Sequence, residues 1–371
     1  MAGNAEYSDG PPAGARENVS LASRVTLELG GGARHFLAAE DQAAAIEGLR
    51  WAQKTGTPLA VLGGGSNTVV ADSGWDGLVI QPAIRGVTIE RDGGIARLRV
   101  GAGEVLDDVV AIAVEEGFAG LECLSGIPGW AGATPIQNVG AYGQEIGDVT
   151  EKVSALDLQT ARRVDLSHAD CEFGYRSSRL RRAPGRLMVL EITYRLEIGG
   201  APVLRYPELR REVRSRRASA SLEEVRAAVL ELRRSKSMIL DPADPNRRSV
   251  GSFFVNPVLD SAGLEEMLAK GRSAGVLGPA EEPSIHATAG GDFKVSAAWL
   301  IEHAGFDKGL RFGAVGISSR HALALVHHGG GAAAELVALA REIRDRVLEL
   351  FGITLQPEPA FLGFSSANPL E

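Results

Sequence analysis

The chain has 371 residues, of which 44% are hydrophobic and 23% charged, and its formal net charge is -8. This length exceeds one typical hydrophobic core and predicts two or three domains of a globular protein. The acidic balance argues against a general nucleic-acid-binding protein, which must neutralise phosphates with a positive surface. Two basic runs, at 176–186 and 205–217, are typical of solvated faces, although they would also suit a phosphorylated small molecule.

The first residues and the cysteines exclude further classes. Residues 1–19 lack the apolar core of a signal peptide and are expected to form a disordered polar tail. No later stretch has the roughly 18 uninterrupted apolar residues that span a bilayer, so we expect no membrane insertion. Cys123 and Cys171 lack CxxC spacing, so neither a disulfide framework nor a metal site is predicted. A reducing cytoplasm fits this pattern.

The first half of the chain begins with a predicted helix and continues as strands. Residues 40–55 place Ala45, Leu49 and Ala52 on one face and stop at Gly56, which predicts an amphipathic helix. A buried strand at 59–62 then runs into a glycine turn and out again at 68–70. Three extended segments follow, at 76–80, 86–90 and 96–103, before LDDVVAIAVEEG returns to helical spacing.

A second amphipathic helix is predicted late in the chain, in AAAELVALAREIRDRVLELFG, which ends at Gly352. Its apolar stripe consists of Leu336, Leu339, Ile343, Val347 and Leu350. Strands and helices do not alternate regularly, as they would in a doubly wound parallel sheet. The predicted fold class is therefore α+β.

The first chemical motif is GGGSN, at 63–67. Its glycines can expose a nest of backbone N–H groups to a phosphate, and Ser66 and Asn67 can add hydrogen bonds. No Lys-Ser/Thr follows, as in a Walker loop, and the chain continues as a strand where a dinucleotide fingerprint opens a helix. Taken alone, a plain glycine turn remains the alternative.

The second motif is LSGIPGWAGATPIQNVGAYGQEIGDV, at 124–149, which combines many Gly and Pro with apolar side chains. A flexible linker would be polar and repetitive, so we predict an ordered loop that lines a site. Backbone amides at Gly129, Gly132 and Gly140 could bind a pyrophosphate or the heteroatoms of a flat ring system.

The third motif is GSFFVNP, at 251–257, which places Ser252 between Gly251 and two phenylalanines. A serine at a strand end often hydrogen-bonds nearby backbone and has only a structural role. The alternative is a hydroxyl held by aromatic packing beside a reaction centre that excludes water, where it could deliver a proton.

Five motifs in order together resemble the UDP-N-acetylenolpyruvoylglucosamine reductase family, flavoenzymes of bacterial peptidoglycan precursor synthesis. They are GGGSN at 63–67, GIPGWAGATPIQNVGAYGQEI at 126–146, FGYR at 173–176, GSFFVNP at 251–257 and PEPAFLG at 357–363. The resemblance covers residues from about 20 to 364.

This resemblance implies a two-subdomain FAD-binding fold of the vanillyl-alcohol-oxidase type, with a third α+β domain that closes over the substrate. The first subdomain is expected at 20–85, with 350–371 packing back onto it. The second is expected at 86–235, and the substrate-binding domain at 236–349.

The resemblance also implies FAD as cofactor, with the pyrophosphate on GGGSN and the flavin along the second loop. Neither loop contains a His or Cys for covalent attachment, so the FAD is expected to be noncovalent. The residues expected to bind it are Gly63, Gly64, Gly65, Ser66, Asn67, Ile127, Pro128, Gly129, Gly132, Ala133, Thr134, Gln137, Asn138, Gly140, Ala141 and Gly143.

The implied reaction transfers a hydride from NADPH through FAD to C3 of an enolpyruvyl ether, leaving negative charge on C2 and the carboxylate. Arg176 is the expected cation for that carboxylate, since a guanidinium matches it with two parallel hydrogen bonds. Glu358, protonated in a site away from water, is expected to donate a hydrogen bond to the developing enolate. Ser252 is expected to protonate C2. Without the resemblance, Arg176 would suit a surface ion pair and Glu358 an exposed turn.

Binding of the substrate nucleotide is assigned by the resemblance to Tyr175, Tyr206, Lys236, Asn256 and His303. Lys236 follows a helix opened by a predicted capping box at 221–224, although lysines there often only complement the helix dipole. Val255, Trp130 and His303 depart from the family pattern. As a lone histidine on a helix, His303 would more often be structural.

Two alternatives remain at this point: another flavin oxidase of the same fold, or a non-catalytic nucleotide-binding protein. The oxidase should lack GSFFVNP and PEPAFLG, and the binding protein has no reason to keep Arg176, Ser252 and Glu358 together. The expected partners are a UDP-sugar and NADPH, with no nucleic acid and no metal. The protein is expected to be a monomer in the bacterial cytoplasm.

Overall fold

The computed structural model describes residues 10–214, 220–288 and 290–371, without the side chains of Arg214, His286 and Ala287. The chain forms two compact units. Unit 1 consists of the described parts of Met1–Ser20, Gly32–Gly65 and Trp75–Leu240, and unit 2 of Leu21–Gly31, Ser66–Gly74 and the described parts of Asp241–Glu371. Helices and strands are mixed in both units, which confirms the predicted α+β class.

Unit 1 contains a four-stranded sheet that packs on the first predicted helix. In spatial order its strands are Arg16–Ser20, Gly32–Ala39, Trp75–Pro82 and Leu59–Val61, antiparallel at the first pairing and parallel at the other two. The helix, Gln42–Thr55, begins at Asp41, whose carboxylate accepts a hydrogen bond from Ala44 N at 2.8 Å. It ends at Gly56, whose φ of 67° is left-handed.

Unit 1 also contains a larger antiparallel sheet. Its strands, in spatial order, are Arg162–Ser167, Thr150–Asp157, Leu187–Ile198, Ile95–Gly101 and Val87–Asp92, with Phe118–Ala119 paired to one end of Leu187–Ile198. The helix Leu106–Glu115 buries Val109, Val110 and Ala113 against this sheet. The remaining helices of the unit are His168–Cys171, Arg179–Arg182, Pro207–Arg214 and Leu222–Ser235, with single 3-10 turns at Glu122–Leu124, Ala131–Ala133 and Ile146–Asp148. Gly140–Ala141 and Gln144–Glu145 form a small hairpin.

Unit 2 is built from three smaller sheets. One has the antiparallel order Ser249–Ser252, Ala324–His327, Val315–Ile317, Arg311–Phe312, and another has the order Val258–Leu259, Phe293–Val295, Ile285–Ala287. In the third, Ala360–Leu362 pairs in parallel with Thr68–Val70. The helices are Ser261–Ser273, Ala297–His303 and Ala333–Phe351, with a 3-10 turn at Ala22–Arg24.

The long helix of unit 2 confirms the stripe predicted from its sequence. Each of the five predicted apolar positions is buried. Asp72 accepts hydrogen bonds from the first two backbone N–H groups, of Ala333 at 2.7 Å and Ala334 at 3.0 Å. Gly352 ends the helix with a φ of 72°. The Asp72 carboxylate thus pairs with two of the N–H groups that a helix leaves unpaired at its start, and Gly352 N donates to Leu348 O at its end.

The predicted polar tail is corrected by the structure at its C-terminal part. Residues 1–9 lie outside the described residues, but Arg16–Ser20 forms a strand that pairs with Gly32–Ala39. Four of its five residues are exposed, so the strand rests on backbone hydrogen bonds and shows no apolar periodicity.

The sequence predicts neither a membrane-spanning segment nor a metal site. Among the helices that the structure describes, none is both long and apolar enough to cross a bilayer. Within the same described residues, no group of three or more His, Cys, Asp or Glu side chains is arranged to hold a metal ion.

Candidate active site

In unit 1 the glycines of GGGSN lie directly against the second glycine-rich loop. A Cβ on Gly64 would lie 3.0 Å from Trp130 N and 3.1 Å from Gly129 Cα, and one on Gly63 would lie 3.5 Å from Ala133 Cβ. Gln81 holds the turn by donating to Gly63 O at 2.9 Å. Two backbones approach this closely only where side chains are missing, and glycines in such a turn can direct backbone N–H groups toward an anionic group.

The second loop is itself ordered by internal hydrogen bonds. Gly132 N donates to Ala102 O at 2.9 Å, and a Cβ on Gly132 would lie 2.6 Å from that of Ala102. Thr134, only 3% exposed, donates to Ala131 O at 2.8 Å and lies 3.1 Å from the hydroxyl of Tyr194. This order confirms that the segment is no flexible linker. The hydroxyl of Thr134 therefore stabilises the loop itself.

Arg176 lies on a tight turn beside this loop. Its φ of 49° is left-handed, and the bridge between Gly174 and Ser177 closes the turn. Its guanidinium donates to Gly140 O at 2.8 Å and to Asn138 O at 3.4 Å, and lies 5.6 Å from the centre of the Tyr175 ring. A non-glycine residue with positive φ is held there by its surroundings. The predicted cation is therefore fixed to backbone of the predicted flavin loop.

Asn138 connects three backbone segments around Arg176, a function that the sequence did not reveal. Its side-chain amide donates to Glu145 Oε2 at 2.5 Å and to Gly174 O at 3.0 Å, and its Oδ1 accepts from Gly147 N at 2.9 Å. The residue is 2% exposed and has a φ of 48°. Asparagine adopts a left-handed backbone more readily than most residues, so the residue type was the one hint that the sequence offered of this role. Asn138 thus orders the site through protein contacts.

Two of the predicted nucleotide-binding residues come together elsewhere in unit 1. Lys236 Nζ donates to Glu208 Oε2 at 2.6 Å and lies 6.0 Å from the centre of the Tyr142 ring, which meets the ring of Tyr206 edge-on at 5.6 Å. Burial raises the pKa of Tyr142 to about 12 and also raises the pKa of Tyr206. Both phenols are therefore neutral hydrogen-bonding groups around neutral pH. The predicted capping box before Lys236 is confirmed, since Ser221 and Glu224 cap each other's backbone.

In unit 2, Ser252 and Glu358 lie on paired segments. Glu358 N donates to Phe253 O at 2.8 Å, Val255 N donates to Gln356 O at 3.0 Å, and Phe254 bridges Pro357. This antiparallel pairing holds Glu358 opposite the residue that follows Ser252. The motifs GSFFVNP and PEPAFLG, far apart in the sequence, are therefore neighbours in the fold.

The hydroxyl of Ser252 makes no hydrogen bond to any residue that the structure describes. The local turn is instead stabilised by Ser249, whose Oγ accepts a hydrogen bond from Gly251 N at 3.3 Å. The rings of Phe253 and Phe254, 0% and 1% exposed, pack edge-on against each other at 5.1 Å, and the ring of Phe253 also meets that of Phe361 at 6.3 Å. The structural interpretation of Ser252 requires a local hydrogen bond, and the geometry gives that role to Ser249.

The rest of GGGSN belongs to unit 2. Ser66 and Asn67 precede the strand Thr68–Val70, which pairs with Ala360–Leu362. Asn67 Nδ2 donates to Glu358 O at 3.4 Å, and Asn67 O accepts from Ala360 N at 3.0 Å. The end of the predicted pyrophosphate motif is therefore joined to the segment that carries Glu358.

The last two predicted substrate residues are also in unit 2 and are engaged by protein groups. Asn256 Oδ1 accepts from Ala297 N, the first residue of the helix that ends at His303, at 2.9 Å. The ring nitrogens of His303 lie 2.8 Å from Trp299 O and 2.7 Å from Glu281 Oε1. The Gly278 N–H and His303 together lower the pKa of Glu281. For His303 this geometry favours the structural alternative.

Two family models match the chain in the order of the motifs. The FAD binding domain model matches residues 33–166, and the model of the C-terminal domain of UDP-N-acetylenolpyruvoylglucosamine reductase matches residues 242–362. The first match includes both glycine-rich loops, and the second includes Ser252 and Glu358.

Curated relatives with the name UDP-N-acetylenolpyruvoylglucosamine reductase match nearly the whole chain. The protein of Thermobifida fusca is 47% identical over 349 residues, covering 93% of this chain and 97% of the relative. The protein of Streptomyces coelicolor is 46% identical, covering 93% of this chain and 90% of the relative. The protein of Mycobacterium tuberculosis is 45% identical, covering 94% of this chain and 95% of the relative.

A solved structure has the same fold over nearly its full length. The crystal structure of UDP-N-acetylenolpyruvylglucosamine reductase from Thermus caldophilus matches with a TM-score of 0.63 and 25% identity, covering 94% of this chain and 99% of that one. Identities of 45–47% over more than nine-tenths of the chain go well beyond a shared fold. Together with the five motifs in order, they show that the chain belongs to the UDP-N-acetylenolpyruvoylglucosamine reductase family.

Proposed function

We propose that Ser252, Arg176 and Glu358 are the catalytic residues with which this chain performs the reaction of its family. That reaction is the NADPH-dependent reduction of UDP-N-acetylglucosamine enolpyruvate to UDP-N-acetylmuramate in peptidoglycan precursor synthesis. The chain is an FAD-dependent oxidoreductase by its family membership. The observation that carries the residue assignment is the unbonded hydroxyl of Ser252 on a segment paired with that of Glu358.

When bound, FAD would supply the hydride-transfer chemistry that links NADPH to C3 of the enolpyruvyl group. The residues proposed to hold its pyrophosphate are Gly63, Gly64, Gly65, Ser66 and Asn67, and those proposed to line its ring system lie at 127–143. The close packing of the two loops supports this assignment, because a larger residue at Gly64 would clash with Trp130 and Gly129. Backbone N–H groups in such a nest bind anions without needing a cation.

Arg176 would bind the substrate carboxylate. Its guanidinium is anchored through Gly140 O and Asn138 O, which orients the planar group before substrate arrives. A pre-oriented guanidinium loses little side-chain entropy on binding and can match a carboxylate with two parallel hydrogen bonds. It would also stabilise the negative charge that spreads onto the carboxylate during reduction.

Ser252 would protonate C2, and Glu358 would donate a hydrogen bond to the developing enolate. A hydroxyl is a poor acid in water, but an enolate-like carbon is basic enough to accept its proton. The buried rings of Phe253 and Phe254 support this role by fixing the backbone that carries the serine. Glu358 must be protonated to donate, which a site away from water and near a substrate carboxylate favours.

For the nucleotide, we propose Lys236 as the ligand of the diphosphate, with Tyr206, Tyr175, Asn256 and His303 as further contacts. The cluster of Lys236, Tyr142 and Tyr206 supports the first two assignments. His303 is the least supported, since both of its ring nitrogens already meet protein atoms. A release of Glu281 would be needed for it to reach substrate.

The domain boundaries, oligomeric state and cellular location are also proposed from the family resemblance. We propose FAD-binding subdomains at 20–85, with 350–371 packed back, and at 86–235, and a substrate-binding domain at 236–349. The protein would act as a monomer in the bacterial cytoplasm. A flavin oxidase of related fold is disfavoured by the C-terminal family model over residues 242–362, and a non-catalytic nucleotide-binding protein by the presence of Arg176, Ser252 and Glu358 together.

The purified protein is expected to be yellow and to release its FAD on acid precipitation. Neither glycine-rich loop contains a His or Cys that could form a covalent bond to the flavin. The visible spectrum before precipitation and the absorbance of the supernatant after it measure both points. A colourless protein that takes up no FAD would contradict the proposed function, and flavin that stays with the precipitate would contradict noncovalent binding.

A further inference from the structure

Arg233 is a buried cation that the proposed mechanism does not use. It lies in the last turn of the helix Leu222–Ser235, three residues before Lys236, and is 8% exposed. Burial lowers the pKa of Arg233 to about 10, against the opposing influence of Tyr142 and Asp107. Arg233 nevertheless stays protonated around neutral pH. A charge in such a position costs folding free energy, so its contacts must compensate.

Those contacts fasten the loop that carries Lys236. The guanidinium Nη2 donates to Met238 O at 2.5 Å, while the backbone carbonyl of Arg233 accepts from Lys236 N at 3.2 Å and Met238 N at 2.9 Å. Between them Ser237, 4% exposed, has a φ of 55°. One residue thus closes the turn from both its side chain and its backbone and holds Ser237 in a left-handed conformation.

The other side of Arg233 faces Gly126, where the flavin-lining loop begins. A Cβ on Gly126 would lie 3.5 Å from Arg233 Nε, and this atom makes no hydrogen bond to the described residues. Gly126 has a φ of 70°, and its N–H donates to Asp107 Oδ1 at 2.6 Å. Arg226 occupies the same carboxylate, at 2.6 and 3.1 Å. Asp107 is therefore engaged elsewhere and does not pair directly with Arg233.

We infer that Arg233 is a positioning residue that holds the Lys236 loop against the start of the flavin-lining loop and so sets the reach of Lys236 to the substrate diphosphate. The inference rests on the role proposed for Lys236. The side-chain hydrogen bond to Met238 O and the approach of the guanidinium to Gly126 support it directly, while the two backbone hydrogen bonds of Arg233 O shape the same turn. A guanidinium used only to fill the core would be replaceable by an apolar side chain of similar size without loss of nucleotide affinity.

The test is a double-mutant cycle read by calorimetric titration of the FAD-loaded protein with UDP. Arg233→Met is expected to weaken UDP binding about tenfold, the order of a lost charge-assisted hydrogen bond. Arg233→Lys keeps a donor for Met238 O, so its affinity for UDP should lie between those of the parent and Arg233→Met. In Lys236→Met, the further change of Arg233→Met should have little effect, because the two residues act as one unit.

Arg234→Met is the matched control, since Arg234 is the next residue and forms an exposed pair with Glu231. It should bind UDP like the parent. UDP binding by Arg233→Met equal to that of the parent, or effects of Arg233→Met and Lys236→Met that simply add, would overturn the inference. If Arg233→Met does not fold, Arg233→Lys completes the same cycle. A parental affinity in Lys236→Met would overturn both this inference and the proposed role of Lys236, whereas the turnover assay tests the reaction independently.

Discussion

Ser252→Ala is expected to separate the two half-reactions. Bleaching of the flavin by NADPH should remain near the parental rate, because Ser252 takes no part in that hydride transfer. Return of the flavin colour on mixing with the enolpyruvyl substrate should slow by about 10²- to 10⁴-fold, the usual contribution of a general acid. Rapid-mixing absorbance measures both rates. The reoxidation rate of Ser252→Cys should lie between those of the parent and Ser252→Ala, since a thiol is the better acid but its longer bond places the proton differently.

Ser249→Ala is the matched control on the same strand. Its Oγ accepts a hydrogen bond from Gly251 N, so the change should cost about 1 kcal/mol of unfolding free energy and leave both half-reactions near parental rates. If Ser252→Ala behaves like Ser249→Ala, or slows both half-reactions equally, Ser252 is a structural serine and the proton comes from elsewhere.

Arg176→Lys is expected to lower turnover by about 10- to 100-fold while FAD content stays unchanged. The substitution keeps the charge but loses the planar two-pronged fit to a carboxylate, and a hydrogen bond to a charged group is worth about 1.5–3 kcal/mol. Both side chains experience the same left-handed backbone at φ 49°, so the variant introduces no new strain of that kind. Steady-state NADPH oxidation and the flavin-to-protein absorbance ratio measure the two quantities.

Arg182→Lys provides the comparison for Arg176. Arg182 lies in the neighbouring helix Arg179–Arg182, where it pairs with Glu172 and donates to Ser177 Oγ at 3.1 Å. Its replacement should leave turnover near the parental value. Full activity in Arg176→Lys would refute the proposed carboxylate clamp, and loss of FAD from that variant would make Arg176 a cofactor-loop residue instead.

Local patterns in the sequence were sufficient to predict two helices, one early and one late in the chain. In Gln42–Thr55 and Ala333–Phe351, apolar spacing and a terminal glycine act within a few residues of each other. The strand Arg16–Ser20 was missed because its residues are mostly exposed and its stability comes from a partner strand. Such a strand has no local signature.

In the candidate site, too, the sequence indicated local motifs but not the long-range contacts between them. The identities of Ser252 and Glu358 could be proposed from their motifs, but the pairing of their segments is a long-range contact that no local pattern encodes. The bridging role of Asn138 and the turn closed by Arg233 likewise depend on partners fixed by tertiary structure. Arg233 lies outside every motif and basic run that the sequence singled out, although it is buried.

The most direct test of the proposed function is NADPH oxidation by the FAD-loaded protein, followed at 340 nm with and without UDP-N-acetylglucosamine enolpyruvate. We expect rapid oxidation only with this substrate, one UDP-N-acetylmuramate formed per NADPH consumed, and loss of most of that rate in Ser252→Ala. NADPH oxidation at the same rate without the enolpyruvyl substrate, with oxygen consumed in its place, would contradict the proposed function and identify a flavin oxidase.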